Sequence, residues 1–270
     1  MAIRFFEKNK IDLSKGSLVT ITVDDGVASN PGQEFVDLMR NRQNDNGWAT
    51  TGSSDAGNTE LIVEFGESHN IDCIFFVGMN WKAYTAQYWN GAAWTNFGTP
   101  IAETVNASAV KLHEFAAVDT EKIRIVITGT FVADADKVCA QIVVTQAIGS
   151  FVTQPYLERP TPSRNKKFLK ALSGKGVVLR STGGFSVRMR QDAVGEEADL
   201  ALIERLNEFY EGFLLWICGG DESQFRPGVR IGYRLEDLFL VNVVNEYSPE
   251  FHRGLYRNGV DVDLIFAEVI

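Results

Sequence analysis

Residues 60–97 read ELIVEFGESHNIDCIFFVGMNWKAYTAQYWNGAAWTNF, and this stretch decides the fold class. In Glu60–Phe65, Cys73–Gly78 and Thr85–Trp89 apolar residues alternate or run together over strand-like lengths, and Gly, Asn and Asp separate the runs. Within it, Trp89-Asn90-Gly91-Ala92-Ala93-Trp94 predicts a hairpin with its tip at Asn90-Gly91, because Asn-Gly supplies the two positive-φ positions of a type I′ turn. Working outward, Leu18–Val23, Leu112–Phe115, Lys122–Thr128 and Cys139–Thr145 repeat the pattern, so the first part of the chain is expected to be an antiparallel β-sandwich. One short helix is expected around Gln33–Met39, where Phe35, Val36 and Met39 fall at helical spacing.

The second part opens on an expected hairpin, Gly176–Leu179 and Phe185–Arg190, turned at Gly183-Gly184. The clearest helix follows at Ala198–Tyr210: Leu202, Ile203, Leu206, Phe209 and Tyr210 share a face, Glu196, Glu197 and Asp199 suit the positive end of the dipole, and Gly212 stops it. Strands are expected at Phe213–Cys218 and Val260–Val269, with a long segment at Asp237–Tyr247. Between the two parts, Pro155, Pro160 and Pro162 accompany Arg159, Arg164, Lys166 and Lys167, a composition that predicts a linker. The expected division is therefore a sandwich over 1–154, a proline-rich basic linker over 155–170, and a β domain with one helix over 171–270.

The whole chain of 270 residues is 45% hydrophobic and carries a formal charge of −9. Residues 1–158 hold 11 Lys and Arg against 19 Asp and Glu, whereas residues 159–270 hold 15 against 16. Phosphate-backbone affinity comes from clustered cations, so nucleic acid is not an expected partner. No stretch reaches the ~18 uninterrupted apolar residues of a membrane span, and the opening MAIRFFEKNKIDL lacks the apolar core of a signal peptide, so no membrane insertion is expected. Cys73, Cys139 and Cys218 are scattered without a CxxC pair and read as buried small hydrophobes.

No catalytic pattern emerges, and no enzyme activity, metal or cofactor is expected. His69, His113 and His252 stand in no ligand spacing, and Gly183-Gly184 and Gly219-Gly220 open no phosphate loop. The acid pairs Asp24-Asp25, Glu196-Glu197, Asp221-Glu222 and Glu236-Asp237 read as solvated turns rather than as a glycosidase pair. Asp45 and Asp55, with Asn44, Asn46 and Ser53, have oxygens for calcium but not the spacing of a calcium loop, and read as a polar turn. Aromatic residues crowd between Trp48 and Trp94. Of these, Trp48, Trp89 and Trp94 read as core or hairpin packing, while Trp81 and Tyr84, in an expected loop MNWKAYT, are the candidate ligand surface. Arg226, Arg230 and Arg234 beside Glu236 and Asp237 form the candidate assembly interface, since Arg is the cation favoured at protein contacts.

The stretch from Asn46 to Phe97 resembles the discoidin family, the coagulation-factor 5/8 C-type galactose-binding-like jelly roll. The likeness lies in Trp48-Ala49-Thr50, Phe65-Gly66, the strand from Ile71 to Ile74, and the run from Tyr84 to Trp94, and it extends over roughly residues 18–147. The order of helix, strand, long segment and closing strand in the second part is similar to tail and baseplate proteins of tailed bacteriophages. That resemblance implies a non-enzymatic virion component, made in the host cytoplasm, that assembles as a homo-oligomeric ring with other tail proteins. The jelly-roll resemblance implies the alternative of an adhesin that recognises host-surface glycans.

Overall fold

Long alternating runs of β-branched and aromatic residues favour long strands, and two such strands organise the unit Asn9–Ala147. The computed structural model describes residues 3–27, 31–41, 47–152, 156–157, 161–170, 176–194, 197–208, 212–217, 238–243, 250–254 and 257–268. The fold is mainly β, with antiparallel sheets. It divides into two units, Asn9–Ala147 and a second made of residues 1–8 with 148–270. The expected boundary at 154 thus falls at 147, and the first eight residues join the second unit. Their strand β1 (Ile3–Phe6) supplies the reason: Phe5 and Phe6 are fully buried, and β1 pairs with a strand far along the chain.

The first unit is an antiparallel jelly-roll sandwich. Its strands are β2 (Thr20–Asp24), β3 (Trp48–Ala49), β4 (Thr59–Val77), β5 (Trp81–Trp89), β6 (Trp94–Glu103), β7 (Val110–Thr130), β8 (Val138–Cys139) and β9 (Gln141–Thr145). Six of them form a sheet in the order β2-β4-β7-β5-β6 with β9 added on β4, while β3 pairs with β8. Strand β4 absorbs two separately expected strands, and so does β7. Their mutual register shifts between Glu64 and His69 and again between Ile71 and Cys73, irregularities of the kind that bend paired strands without ending them. Consequently the first half of β4 pairs with β2 and its second half with β9. The core between the layers holds Trp48, Leu61, Val63, Ile71, Phe76, Ile123, Ile125 and Ile127, each fully buried. A buried side chain of this size contributes about 1.5–3 kcal/mol.

The helix expected at Gln33–Met39 is replaced by two 3-10 turns, Pro31–Gln33 and Val36–Arg40. Phe35 interrupts them with φ of +62° and is 71% exposed, so its apolar side chain misled the periodicity. Buried Arg40 ties the second turn to the preceding loop, donating from Nε to Ile11 O at 2.8 Å and from Nη2 to Gly16 O at 3.1 Å.

The second unit contains β1, β10 (Ala147–Ser150, its first residue counted with the first unit), β11 (Tyr156–Leu157), β12 (Thr161–Lys170), β13 (Gly176–Val194), α1 (Glu197–Glu208), β14 (Phe213–Ile217), β15 (Leu238–Val243), β16 (Glu250–Gly254) and β17 (Arg257–Glu268). The nine strands form one sheet, β10-β1-β14-β15-β17-β13-β11, with β12 on β13 and β16 on β17. Two expectations are corrected here. Thr161–Lys170 is a strand rather than a linker, and Gly183-Gly184 lies inside β13 rather than at a hairpin turn. A single irregularity accounts for both: Pro162 faces Phe185 and Arg164 faces Thr182, so the glycine pair sits opposite Ser163 alone. Proline is admitted to sheets at such bulges, and glycine accepts the bend. The helix α1 matches its expected span to within two residues, and Leu202, Ile203 and Leu206 are its buried stripe. Buried Asp199 in its first turn accepts a bond of 2.7 Å from Val152 N.

Candidate functional site

The two residues expected to form a ligand surface are in the core. Trp81 and Tyr84 are both 0% exposed, because β5 begins at Trp81 where a loop was expected. Three residues apart, they would face opposite ways in a regular strand. Register shifts on both sides of Ala83 bring both inward. There they pack on each other at 5.8 Å and on Phe76 at 5.2 and 5.5 Å. Arg226, Arg230, Arg234, Glu236 and Asp237, the candidate assembly interface, lie outside the described residues, as do Asn44 and Asp45.

The same shift decides what faces outward. Beyond Ala83, Tyr84, Ala86 and Tyr88 point to the core side, which leaves Thr85, Gln87 and Trp89 on the opposite face. Trp89 pairs with Trp94 across the turn, and Gln87 with Asn96. The turn therefore spans Asn90–Ala93 rather than the expected two residues. Asn90 closes it: its backbone N bonds Ala93 O at 3.2 Å, and its side-chain oxygen accepts from Ala92 N at 3.0 Å and Ala93 N at 2.9 Å. Had Asn90-Gly91 formed a two-residue turn, Trp89 would face Ala92 and the indole pair would be lost.

The indoles of Trp89 and Trp94 meet edge to face, 5.4 Å apart at 71°, on the outer surface of the sheet. Both are half-buried. Two cations from β7 cover them. Lys122 Nζ lies 4.8 Å from the Trp89 ring and 5.8 Å from that of Trp94, and the Arg124 guanidinium lies 4.8 Å from Trp94. Glutamates on β4 answer these charges: Lys122 Nζ is 3.6 Å from Glu64, and Arg124 Nη1 is 3.8 Å from Glu60. Arg124 Nη2 also donates to Gln87 Oε1, and Gln87 Nε2 donates to Asn96 Oδ1 at 2.9 Å. Arg124 Nε is buried with no hydrogen-bond partner, so the guanidinium is held by its forked end alone.

The result is a strip two side chains wide. One row runs Lys122, Trp89, Trp94 and the other Arg124, Gln87, Asn96, over β7, β5 and β6. Aromatic faces beside amides and charged groups are the chemistry that stacks on and hydrogen-bonds a polyhydroxylated ring. In the sequence Trp89 and Trp94 read as packing, and Gln87, Asn96, Lys122 and Arg124 are not among the candidate residues. The available signal was the alternation of Lys122 and Arg124 with Ile123 and Ile125, which puts both cations on one outward face.

The other candidate clusters resolve into structural roles. Asp55 accepts from Thr130 Oγ1 at 3.0 Å and Asp134 N at 3.2 Å, and donates its own N to Asp134 Oδ1 at 3.1 Å. The cation in this acidic turn is Lys137, fully buried, with its ammonium bonded to Ser54 O. Burial lowers the Lys137 pKa, and Asp55, Asp136, Asp134 and Asp25 oppose that shift. Asp25 itself caps a turn, accepting from Gly32 N at 2.8 Å. Cys73 and Cys139 are buried thiols, and burial pushes that of Cys139 up to about 12. Among the described residues no cluster of three His, Cys, Asp or Glu side chains could hold a metal, and no helix is long and apolar enough to cross a membrane.

No protein-family model matches this chain, and no curated protein matches it. Among solved structures it is similar to chitosan-binding module 1 of a chitosanase/glucanase from Paenibacillus sp. IK-5, as the V110M mutant, with a TM-score of 0.42, 15% identity, and coverage of 52% of this chain and 98% of that one. A Clostridium perfringens module in complex with GalNAc-β-1,3-galactose gives 0.37 and 12%, over 47% and 95%. A Ruminococcus gnavus GH29 fucosidase in complex with fucose gives 0.39 and 20%, over 50% and 26%. Likenesses this distant carry no weight for function.

Proposed function

We propose that the unit Asn9–Ala147 is a glycan-binding module that acts by contact and breaks no bond, and that its binding surface is the outward face built on Trp89 and Trp94. The single observation behind this reading is the edge-to-face indole pair, half-buried on a sheet face and bordered by Lys122, Arg124, Gln87 and Asn96. Four of these residues carry hydrogen-bonding groups, and each ring offers apolar area to the C–H face of a sugar. The unit holds 9 Lys and Arg against 17 Asp and Glu, a balance that opposes the phosphate backbone of nucleic acid. No observation on the described residues favours a ring-forming virion tail component over this reading, since its proposed interface lies outside them.

The test is a glycan array probed with the full chain and with a Trp89→Ala, Trp94→Ala double variant. Retention of the parent chain on a set of glycans, lost in the variant while the melting curve is kept, is the expected result. A parent chain that binds no glycan, or a variant that binds as well as the parent, would overturn it.

A further inference from the structure

Resting on that reading, we infer that the surface takes an internal stretch of a linear glycan laid across the strands, and that this glycan is neutral or amino-bearing rather than acidic. The first ground is spacing. Arg124, Gln87 and Asn96 stand at one register level on three neighbouring strands, because Gln87 is the direct partner of both Arg124 and Asn96. Strands lie roughly 4.8 Å apart, about the length of one pyranose along its chain, so successive sugars meet successive side chains. Hydrogen bonds from Arg124 to Gln87 and from Gln87 to Asn96 set the orientation of both amides. Asn96 is the exposed end of this relay, where its amide N–H groups are available to a sugar hydroxyl.

The second ground is the shape of the strip. Its aromatic row, Trp89 and Trp94, runs beside the polar row, so a chain lying across the strands is stacked on one side and hydrogen-bonded on the other. The strip begins at Glu60 and Glu64 on β4 and ends at β6, which is the edge of the sheet. Over these four strands it measures roughly 14 Å, the span of about three sugars. An open edge has no wall to recognise a chain end, so interior units are the natural ligand.

The third ground is charge. Lys122 and Arg124 are already matched by Glu64 and Glu60, and the surrounding unit carries eight more acids than bases. An acidic polysaccharide would meet a repulsive field with no unanswered cation to hold it, whereas a neutral chain is indifferent to that field and an amino sugar is attracted. The Lys122 side chain over Trp89 is 29% exposed, and its ammonium is free to swing aside for a sugar.

Calorimetric titration of the full chain with β-1,4-linked glucose, N-acetylglucosamine and glucosamine oligomers, from monosaccharide to hexasaccharide, tests the inference, with oligogalacturonate as the acidic probe. Affinity in at least one series should rise by about tenfold or more from the monosaccharide to the trisaccharide and then level off. Oligogalacturonate should bind at least about tenfold more weakly, and Asn96→Ala should weaken the trisaccharide more than the monosaccharide. A monosaccharide that binds as tightly as the hexasaccharide, or a preference for oligogalacturonate, overturns this inference and leaves the glycan-binding reading standing. Silence towards every oligomer, together with a blank glycan array, overturns both.

Discussion

The hydroxyl of Tyr84 and Nε2 of His113 lie 2.8 Å apart, joining β5 to β7 through a polar bond set among aromatic rings. Phe76 packs against both rings, at 5.5 Å from Tyr84 and 5.8 Å from His113. Burial pushes the His113 pKa down to about 4; Glu103 opposes the shift and Lys111 adds to it. Burial raises that of Tyr84, with Glu103 acting in the same direction. The pair is therefore neutral across the physiological range, and it tethers the strands without any charge to solvate.

That depressed value makes stability pH-dependent. The unfolded chain binds a proton on this histidine near pH 6.5 and the folded chain only near 4, so the contribution is fully present above 6.5 and is lost as pH falls towards 4. Its size is on the order of 2 kcal/mol after discounting for solvent that reaches the ring. Melting temperatures of the parent chain and of His113→Gln, measured from pH 7.5 to 4, should diverge at neutral pH and converge on acidification. Parallel curves would assign the acid sensitivity to other groups.

Trp81→Ala should cost about 3–5 kcal/mol, the usual price of deleting a fully buried indole. Trp94→Ala, on the outer face, should cost much less and should act on ligand binding instead. Urea unfolding of the two variants side by side separates core from surface, and equal losses would contradict the inward and outward assignment of β5 and β6.

Lys137→Met should destabilise by about 1 kcal/mol, because it removes the donor that Ser54 O accepts from and the cation that Asp55, Asp134 and Asp136 attract. Added salt should recover part of that loss by screening the carboxylates. A variant as stable as the parent would show that the acids are sufficiently solvated by themselves.

Phe35→Asn should stabilise by about 0.5–1 kcal/mol, since Phe35 holds φ at +62° with an exposed side chain, and Asn tolerates that conformation better. Gly66→Ala should do the opposite. Gly66 has φ of +79°, and an added Cβ would collide with Leu18 O. Thermal melts of the two variants should move in opposite directions; a Phe35→Asn protein that melts lower would indicate that the phenyl ring supports the turn.

Period-two alternation, turn residues and the acidic opening of α1 are local properties, and they sufficed to determine an antiparallel β fold, the helix near Ala198–Tyr210 and the strand character of Glu60–Phe65 and Lys122–Thr128. Only the tertiary structure decided which way the side chains of β5 face. Two register shifts around Ala83 turn Trp81 and Tyr84 into the core, and a four-residue turn capped by Asn90 brings Trp89 opposite Trp94. Neither event leaves a mark on composition or periodicity, because a single extra residue in one strand reverses the facing of everything beyond it. The same holds for residues far apart in sequence. Lys122 and Arg124 reach the indoles only because β7 lies beside β5, and Ile3–Phe6 joins the second unit only because Phe213–Ile217 offers it an apolar partner strand. Pairing across such distances is settled by where large apolar groups can be buried together, a property of the folded chain and not of any one segment of it.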